Sequence, residues 1–184
     1  MLNIPKQFSS FKFIRPIQWP EIFDAWRSGE ARQESWKRHW EERGFGSWDE
    51  WRTEYAKPFQ PETLNWFLYE ISDPTREFPE IYCVPSKSWI EKAYGGKITK
   101  QFKDIAGDPI IKDNNKIIAI KNDFPKKTML TGLLCGEKIV LVEGMHRAAA
   151  LATWDSKVPF NSKIYMAIAE WNKEIPIIGG NYKK

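Results

Sequence analysis

The chain has 184 residues, 42% of them hydrophobic, 28% charged and 15% aromatic. That composition suits one globular domain, or one small domain with a substantial extension, and supplies enough apolar area for a sizeable core. No apolar run approaches the ~20 residues of a membrane span, and "MLNIPKQFSSFKF" lacks the basic-then-apolar layout of a secretory signal, so a cytoplasmic protein without a membrane partner is expected.

The net charge of +4 is unevenly spread: residues 1–75 carry 10 basic and 12 acidic side chains, net −2, and residues 76–184 carry 18 and 12, net +6. An anionic ligand is therefore better placed on the second part. The first part holds seven of the ten tryptophans, Trp19, Trp26, Trp36, Trp40, Trp48, Trp51 and Trp66. Trp36 and Trp40 are four apart and share a helical face. "SWDE" at 47–50 is a capping box, with Ser47 as N-cap and Glu50 at N3. "PETLNWFLYEI" places Pro61 at a helix start and apolar residues at 64, 67, 68 and 71, which predicts a further helix. Residues 1–75 thus read as a tryptophan-rich helical extension of three or four short helices. Tryptophans at such spacings are expected to be scaffold, packed in a core or against a neighbouring sheet, the alternative being a base-stacking or peptide-binding surface.

After Pro74 short strands and turns are expected. "EIYCV" (80–84) predicts a strand stopped by Pro85. "SKSWIEKAYGG" predicts a helix with Ser86 near its start and Gly95–Gly96 at its end. "PIIKDNNKIIAI" (109–120) reads as a β-hairpin turning at Asp113, Asn114 and Asn115. "EKIVLVEG" (137–144) is a strand, residues 145–154 a helix, and "KIYMAIAEW" (163–171) a nearly continuous apolar strand suited to the centre of a sheet. The expected class is α+β: a small mixed sheet with packed helices over 76–184, preceded by the helical extension. Cys83 and Cys135 lack metal-ligand spacing with each other or with His39 and His146, so no zinc site is expected.

"VEGMHRAAAL" carries the chemistry. A helix start presents backbone N–H groups without intrahelical partners, and its dipole favours an anion. Gly144 allows close backbone approach there. His146 and Arg147 fall in the first helical turn, where cations oppose the dipole. A bound phosphate would relieve that conflict, held by the N–H groups of 144–146, by the Arg147 fork and by His146. The plainer alternative is a tight turn at Gly144, with Arg147 paired to a carboxylate and His146 solvated. Lys126 and Lys127, in "FPKKT", would reach phosphates if their segment folds over the site. Otherwise they are solvated. Glu143 is the carboxylate that adjoins the turn. It suits Mg²⁺ binding or general-base work, or simply a helix-start carboxylate paired with Arg147 or His146.

"EGMHRAAAL" resembles the Gly-x-His-Arg-x-x-Ala signature of the sulfiredoxin/ParB superfamily, and the order of elements over about residues 78–171 is similar to that fold. The resemblance implies nucleotide phosphates at Gly144, Met145, His146 and Arg147, with ATP or another nucleotide and Mg²⁺ as cofactors. Two departures bear on activity. In sulfiredoxins the variable motif position is the catalytic cysteine, and here it is Met145, so sulfinic-acid reduction is not expected. ParB-type proteins follow this module with a helix-turn-helix domain, whereas only about thirty residues follow the motif helix here. The expected function is nucleotide binding with NTP-dependent phosphoryl transfer or hydrolysis, Glu143 being the catalytic candidate. The alternatives are a nucleotide-gated module for a protein or DNA partner without turnover, and an interaction protein that retains only the shell of the site.

Overall fold

The computed structural model describes residues 1–183. Its sheet has five strands: β1 (Phe11–Ile17), β2 (Trp66–Ile71), β3 (Lys127–Cys135), β4 (Lys138–Glu143) and β5 (Lys163–Glu170), in the order β1-β2-β5-β3-β4. The chain is thus a mixed α+β protein. Only the β3–β5 pairing is parallel. Strand β5 lies in the middle, and Ile164, Met166, Ala167, Ile168 and Ala169 on it are fully buried. A nearly continuous apolar run is what two covered sheet faces require.

The helices are α1 (Trp19–Glu30), α2 (Glu34–Glu41), α3 (Trp48–Ala56), α4 (Pro74–Glu77), α5 (Lys87–Ala93), α6 (Phe102–Ile105), α7 (Pro109–Lys112), α8 (Asn115–Asn122) and α9 (Met145–Ala152). Helix α9 packs against α4, α6 and α8. Ala148, Ala149 and Ala150 are fully buried, and their small side chains permit that close approach. Ser47 caps α3 by accepting from the Glu50 N–H at 3.1 Å, as the "SWDE" pattern predicts.

Three expectations are corrected. "PETLNWFLYEI" is not a helix: Pro61–Thr63 form one 3₁₀ turn and Trp66–Ile71 are strand β2. Gln60 precedes it in the left-handed region (φ 46°), and the Trp66 indole donates to the Pro61 carbonyl at 2.8 Å, closing a turn rather than a helix. The aromatic and branched run "WFLYEI" then pairs with strands on both sides, where β-favouring side chains pack best. Strand β1 also lies in this half, so the first 75 residues are not purely helical. "PIIKDNNKIIAI" is not a hairpin but α7 and α8. Asp108 accepts from the Ile110 N–H at 3.0 Å, and Asn114 accepts from the Lys116 and Ile117 N–H groups at 3.0 and 3.3 Å. Two N-caps override a β-rich composition. "EIYCV" is reduced to bridges at Tyr82, which lies along β4 by exchanging hydrogen bonds with Ile139 and Leu141 at 2.9 Å.

Strands β1 and β2 both precede residue 76, and β2 pairs with β5 along its whole length, so the sheet draws on both sides of that position. The tryptophan-rich helices lie against the rest. Six of the seven early tryptophans are buried, and Trp36 is partly so. The Trp26 indole donates to Thr131 Oγ1 on β3 at 2.9 Å, and the Tyr55 hydroxyl to the Val142 carbonyl on β4 at 2.7 Å. Between them lies a buried ion pair. Arg52 donates through Nε to Glu30 Oε2 at 2.8 Å and through Nη2 to Glu30 Oε1, while the Trp48 indole donates to the same carboxylate at 3.0 Å. The guanidinium carbon lies 4.4 Å from the Trp51 ring centroid and 4.5 Å from that of Tyr55.

Removing one partner of a buried pair strands the other charge, which costs about 3–5 kcal/mol. Glu30→Ala should therefore lower Tm by on the order of 10 °C. Thermal unfolding followed by circular dichroism checks this, and a change within a degree or two would show that the pair is not a structural anchor.

Candidate functional site

Strand β4 ends at Glu143 and the chain turns at Gly144 into α9. Gly144 has φ 94° and ψ 24°. A Cβ there would lie 2.7 Å from Leu130 Cδ2, so both conformation and space call for glycine. The turn points the start of α9 into a cavity of about 1270 Å³. Its walls include Glu143, Gly144, Met145, His146, Arg147 and Lys127, so one cavity gathers these expected site residues. Lys126 is not on its wall. The Lys126 carbonyl accepts from the Lys163 N–H at 2.9 Å, and Lys127 is the first residue of β3 rather than part of a loop folded over the turn.

Arg147 reaches back toward the sheet. It donates through Nη2 to Glu143 Oε1, and through Nη1 to Thr128 Oγ1 and to the Met129 carbonyl, the last at 3.2 Å. Part of the guanidinium fork is therefore spent inside the protein, on Glu143, Thr128 and the Met129 carbonyl. Glu143 is 5% exposed. Its Oε2 is buried without a hydrogen-bond partner among the described residues. Burial raises the Glu143 pKa, opposed chiefly by the Arg147 charge. An orphaned carboxylate oxygen beside an open helix start is costly to the fold alone.

His146 escapes the conflict with the helix dipole by staying neutral. Burial first, then the charges of Lys116 and Arg147, push its pKa down to about 4. The chain's other histidine, His39 on α2, lines the same cavity and is also pushed down to about 4, by burial and by Arg43, Arg52 and Lys116.

Charge accounting on the cavity wall separates structure from site. Three glutamates line it, and each pairs with an arginine: Glu21 with Arg15, Glu30 with Arg52, and Glu143 with Arg147. Three further cations, Arg43, Lys116 and Lys127, line it with no carboxylate partner among the described residues. Arg43 and Lys116 escaped the sequence reading. Lys116 was placed on a hairpin that does not exist, although Asn114 two residues earlier is a strong N-cap type that signals α8. Arg43 reaches the cavity only through tertiary packing, which no local pattern encodes.

The two thiols lie elsewhere: neither Cys83 nor Cys135 is on the cavity wall, and burial raises both pKa values. Among the described residues no group of three or more His, Cys, Asp or Glu is placed to hold a metal ion, and no helix is long and apolar enough to cross a membrane. No protein-family model matches the chain, nor does any curated protein or solved structure.

Two tests follow from this geometry. Gly144→Ala forces a side chain into the left-handed region and onto Leu130, and should cost about 1–3 kcal/mol, read by denaturant unfolding. A cost near zero would mean that the turn can relax. The histidines set a pH dependence. Their native pKa lies below the unfolded value of about 6.5, so between those values the unfolded chain binds more protons. Their stabilisation is complete above pH 6.5 and is lost as the pH falls toward 4. Glu143 and Glu77, both raised by burial, act in the opposite sense. His146→Asn should therefore flatten the fall in Tm between pH 6.5 and 4, and an unchanged slope would show that His146 does not titrate as a buried neutral group.

Proposed function

We propose that the chain binds a nucleoside triphosphate, ATP or another NTP, with its phosphates at the Gly144 turn, and that it uses the site for phosphoryl transfer or hydrolysis. The observation that carries this reading is the excess of three cations, Arg43, Lys116 and Lys127, that have no carboxylate partner among the described residues on a cavity wall whose every glutamate already has an arginine. They share that cavity with the start of α9, where helix N–H groups favour an anion. The resemblance of "EGMHRAAAL" to the sulfiredoxin/ParB signature supports the same ligand, and a sulfiredoxin/ParB-like arrangement of residues 76–184 belongs to this reading. Met145 at the variable position carries a thioether, which forms neither a sulfinyl phosphoryl ester nor a thiosulfinate. Sulfinic-acid reduction is not part of the proposal.

Glu143 has the role that its free oxygen allows. Mg²⁺ commonly binds through one or two carboxylates together with substrate phosphates; Oε2 is buried and unpartnered among the described residues at the turn, so a shift of the Glu143 side chain toward the cavity would have to accompany metal binding. The same oxygen, with its raised pKa, would accept a proton from an attacking water or hydroxyl. Lys127 and Lys116 would neutralise phosphate charge. The second reading is a nucleotide-gated module for a protein or DNA partner. It draws on the tryptophan-rich helices forming part of the cavity wall, so that occupancy bears directly on them.

A thermal-shift screen of nucleotides with Mg²⁺ tests binding. A ligand at a hundred times its Kd adds about 2.7 kcal/mol, several degrees of Tm. Lys127→Met should reduce the shift, and Arg147→Ala should weaken binding by about 1.5–3 kcal/mol. Glu143→Gln should abolish phosphate release while leaving binding within a few-fold. Binding without any turnover in the wild type would replace the enzyme reading with the gated module. No shift with any nucleotide would remove both.

A further inference from the structure

The cavity is much larger than a phosphate chain needs. Its volume of about 1270 Å³ exceeds the roughly 300–1,000 Å³ usual for small-molecule sites, and the Gly144 turn occupies only one end of its lining. The wall away from the turn is built of rings. Trp36, alone among the seven early tryptophans, is left partly open. His39 meets it edge-on, with centroids 5.4 Å apart, and Trp51 lies tilted by 32° against it, also at 5.4 Å. Trp89 on α5 stands 6.1 Å from the His146 ring, next to the turn itself. Lys116 Nζ rests 4.7 Å from the Trp36 ring centroid, and its charge is felt by both His39 and His146. An exposed lysine thus sits between the ring wall and the phosphate turn.

We infer that this wall recognises the ligand's planar ring: the base of the nucleotide stacks on Trp36, with Trp89 beside the turn, so that the tryptophan-rich segment supplies the specificity half of the site. The inference rests on the nucleotide reading above. Trp36 keeps part of its ring unburied on the cavity wall, with a flexible lysine rather than packed side chains over it, so apolar transfer energy is left ungained there. Base stacking on an aromatic side chain uses that face. The Lys116 ammonium, on a flexible stem, leaves the ring as the base arrives and finds phosphate oxygens nearby. Ring and phosphate recognition are thereby linked through one side chain.

The test compares ATP, CTP, GTP and UTP with inorganic tripolyphosphate, all with Mg²⁺, by isothermal titration on the full chain. Tripolyphosphate has the charge but no ring. The wild type should prefer its best nucleotide over tripolyphosphate by tenfold or more. Trp36→Leu should bring that preference within about threefold without lowering tripolyphosphate affinity, and Trp36→Phe, which keeps a π face, should retain most of it. Equal affinity for nucleotides and tripolyphosphate in the wild type overturns the ring subsite and leaves the phosphate site standing. So does a folded Trp36→Leu with its preference intact. If Trp36→Leu does not fold, Trp89→Leu carries the same expectation and the same overturning result. Failure of every probe to bind the wild type removes the nucleotide reading, and this inference with it.

Discussion

Strand β5 has two edges, and the way they are used determines where every other part can lie. One edge takes β3 in parallel, and the other takes β2 antiparallel from the far end of the chain. The β2 pairing runs from Trp66 opposite Ala169 to Ile71 opposite Ile164, and β1 pairs with β2 in turn, which anchors both ends of the segment containing α1–α3. With β1 and β2 fixed in the sheet, those helices have to fold back over it. Trp26 and Tyr55 then meet polar groups of β3 and β4. The cavity exists because that return path brings α2 opposite the Gly144 turn.

The electrostatics of the cavity follow from the same packing. Bringing Glu30, Glu143 and their neighbours out of water is unfavourable unless each finds a donor. Glu30 is fully satisfied by Arg52 and Trp48. Glu143 is satisfied on one oxygen only. Glu77, buried away from the cavity and paired with Arg76, likewise keeps one oxygen without a partner among the described residues, so what distinguishes Glu143 is its place at the glycine turn on the cavity wall. With the histidines held neutral and Arg43, Lys116 and Lys127 without a carboxylate partner among the described residues, the cavity wall carries a net positive charge.

The motif was legible because its signal is local. A strand ending in Glu143, a glycine with positive φ and an alanine-rich helix are written in consecutive residues, and the i,i+4 spacing of Glu143 and Arg147 already admitted their pairing. The scaffold role of most tryptophans was legible for a similar reason, since large rings among short helices have few alternatives to burial. The "WFLYEI" segment was misread because helical spacing of apolar residues also occurs by chance in a strand covered on both faces, and the ladders that decide the matter come from residues far along the chain. At 109–120 the error was of another kind. Asp113, Asn114 and Asn115 suit a hairpin turn as well as a helix start, and in the fold the Asp108 and Asn114 side chains cap helices.

The sequence by itself determined the Gly144 turn, the helix behind it, the central apolar strand and the capped start of α3, because each depends on backbone conformation and hydrogen bonds within a few residues. Only the tertiary structure decided that β2 joins β5 and that Arg147 turns inward to Glu143 and Thr128. It also placed Lys116, His39 and Trp36 across a cavity from the turn. Those outcomes depend on contacts between residues tens of positions apart, whose energies are set by burial and by which partner reaches a charge first, and neither quantity is carried by any local run of letters.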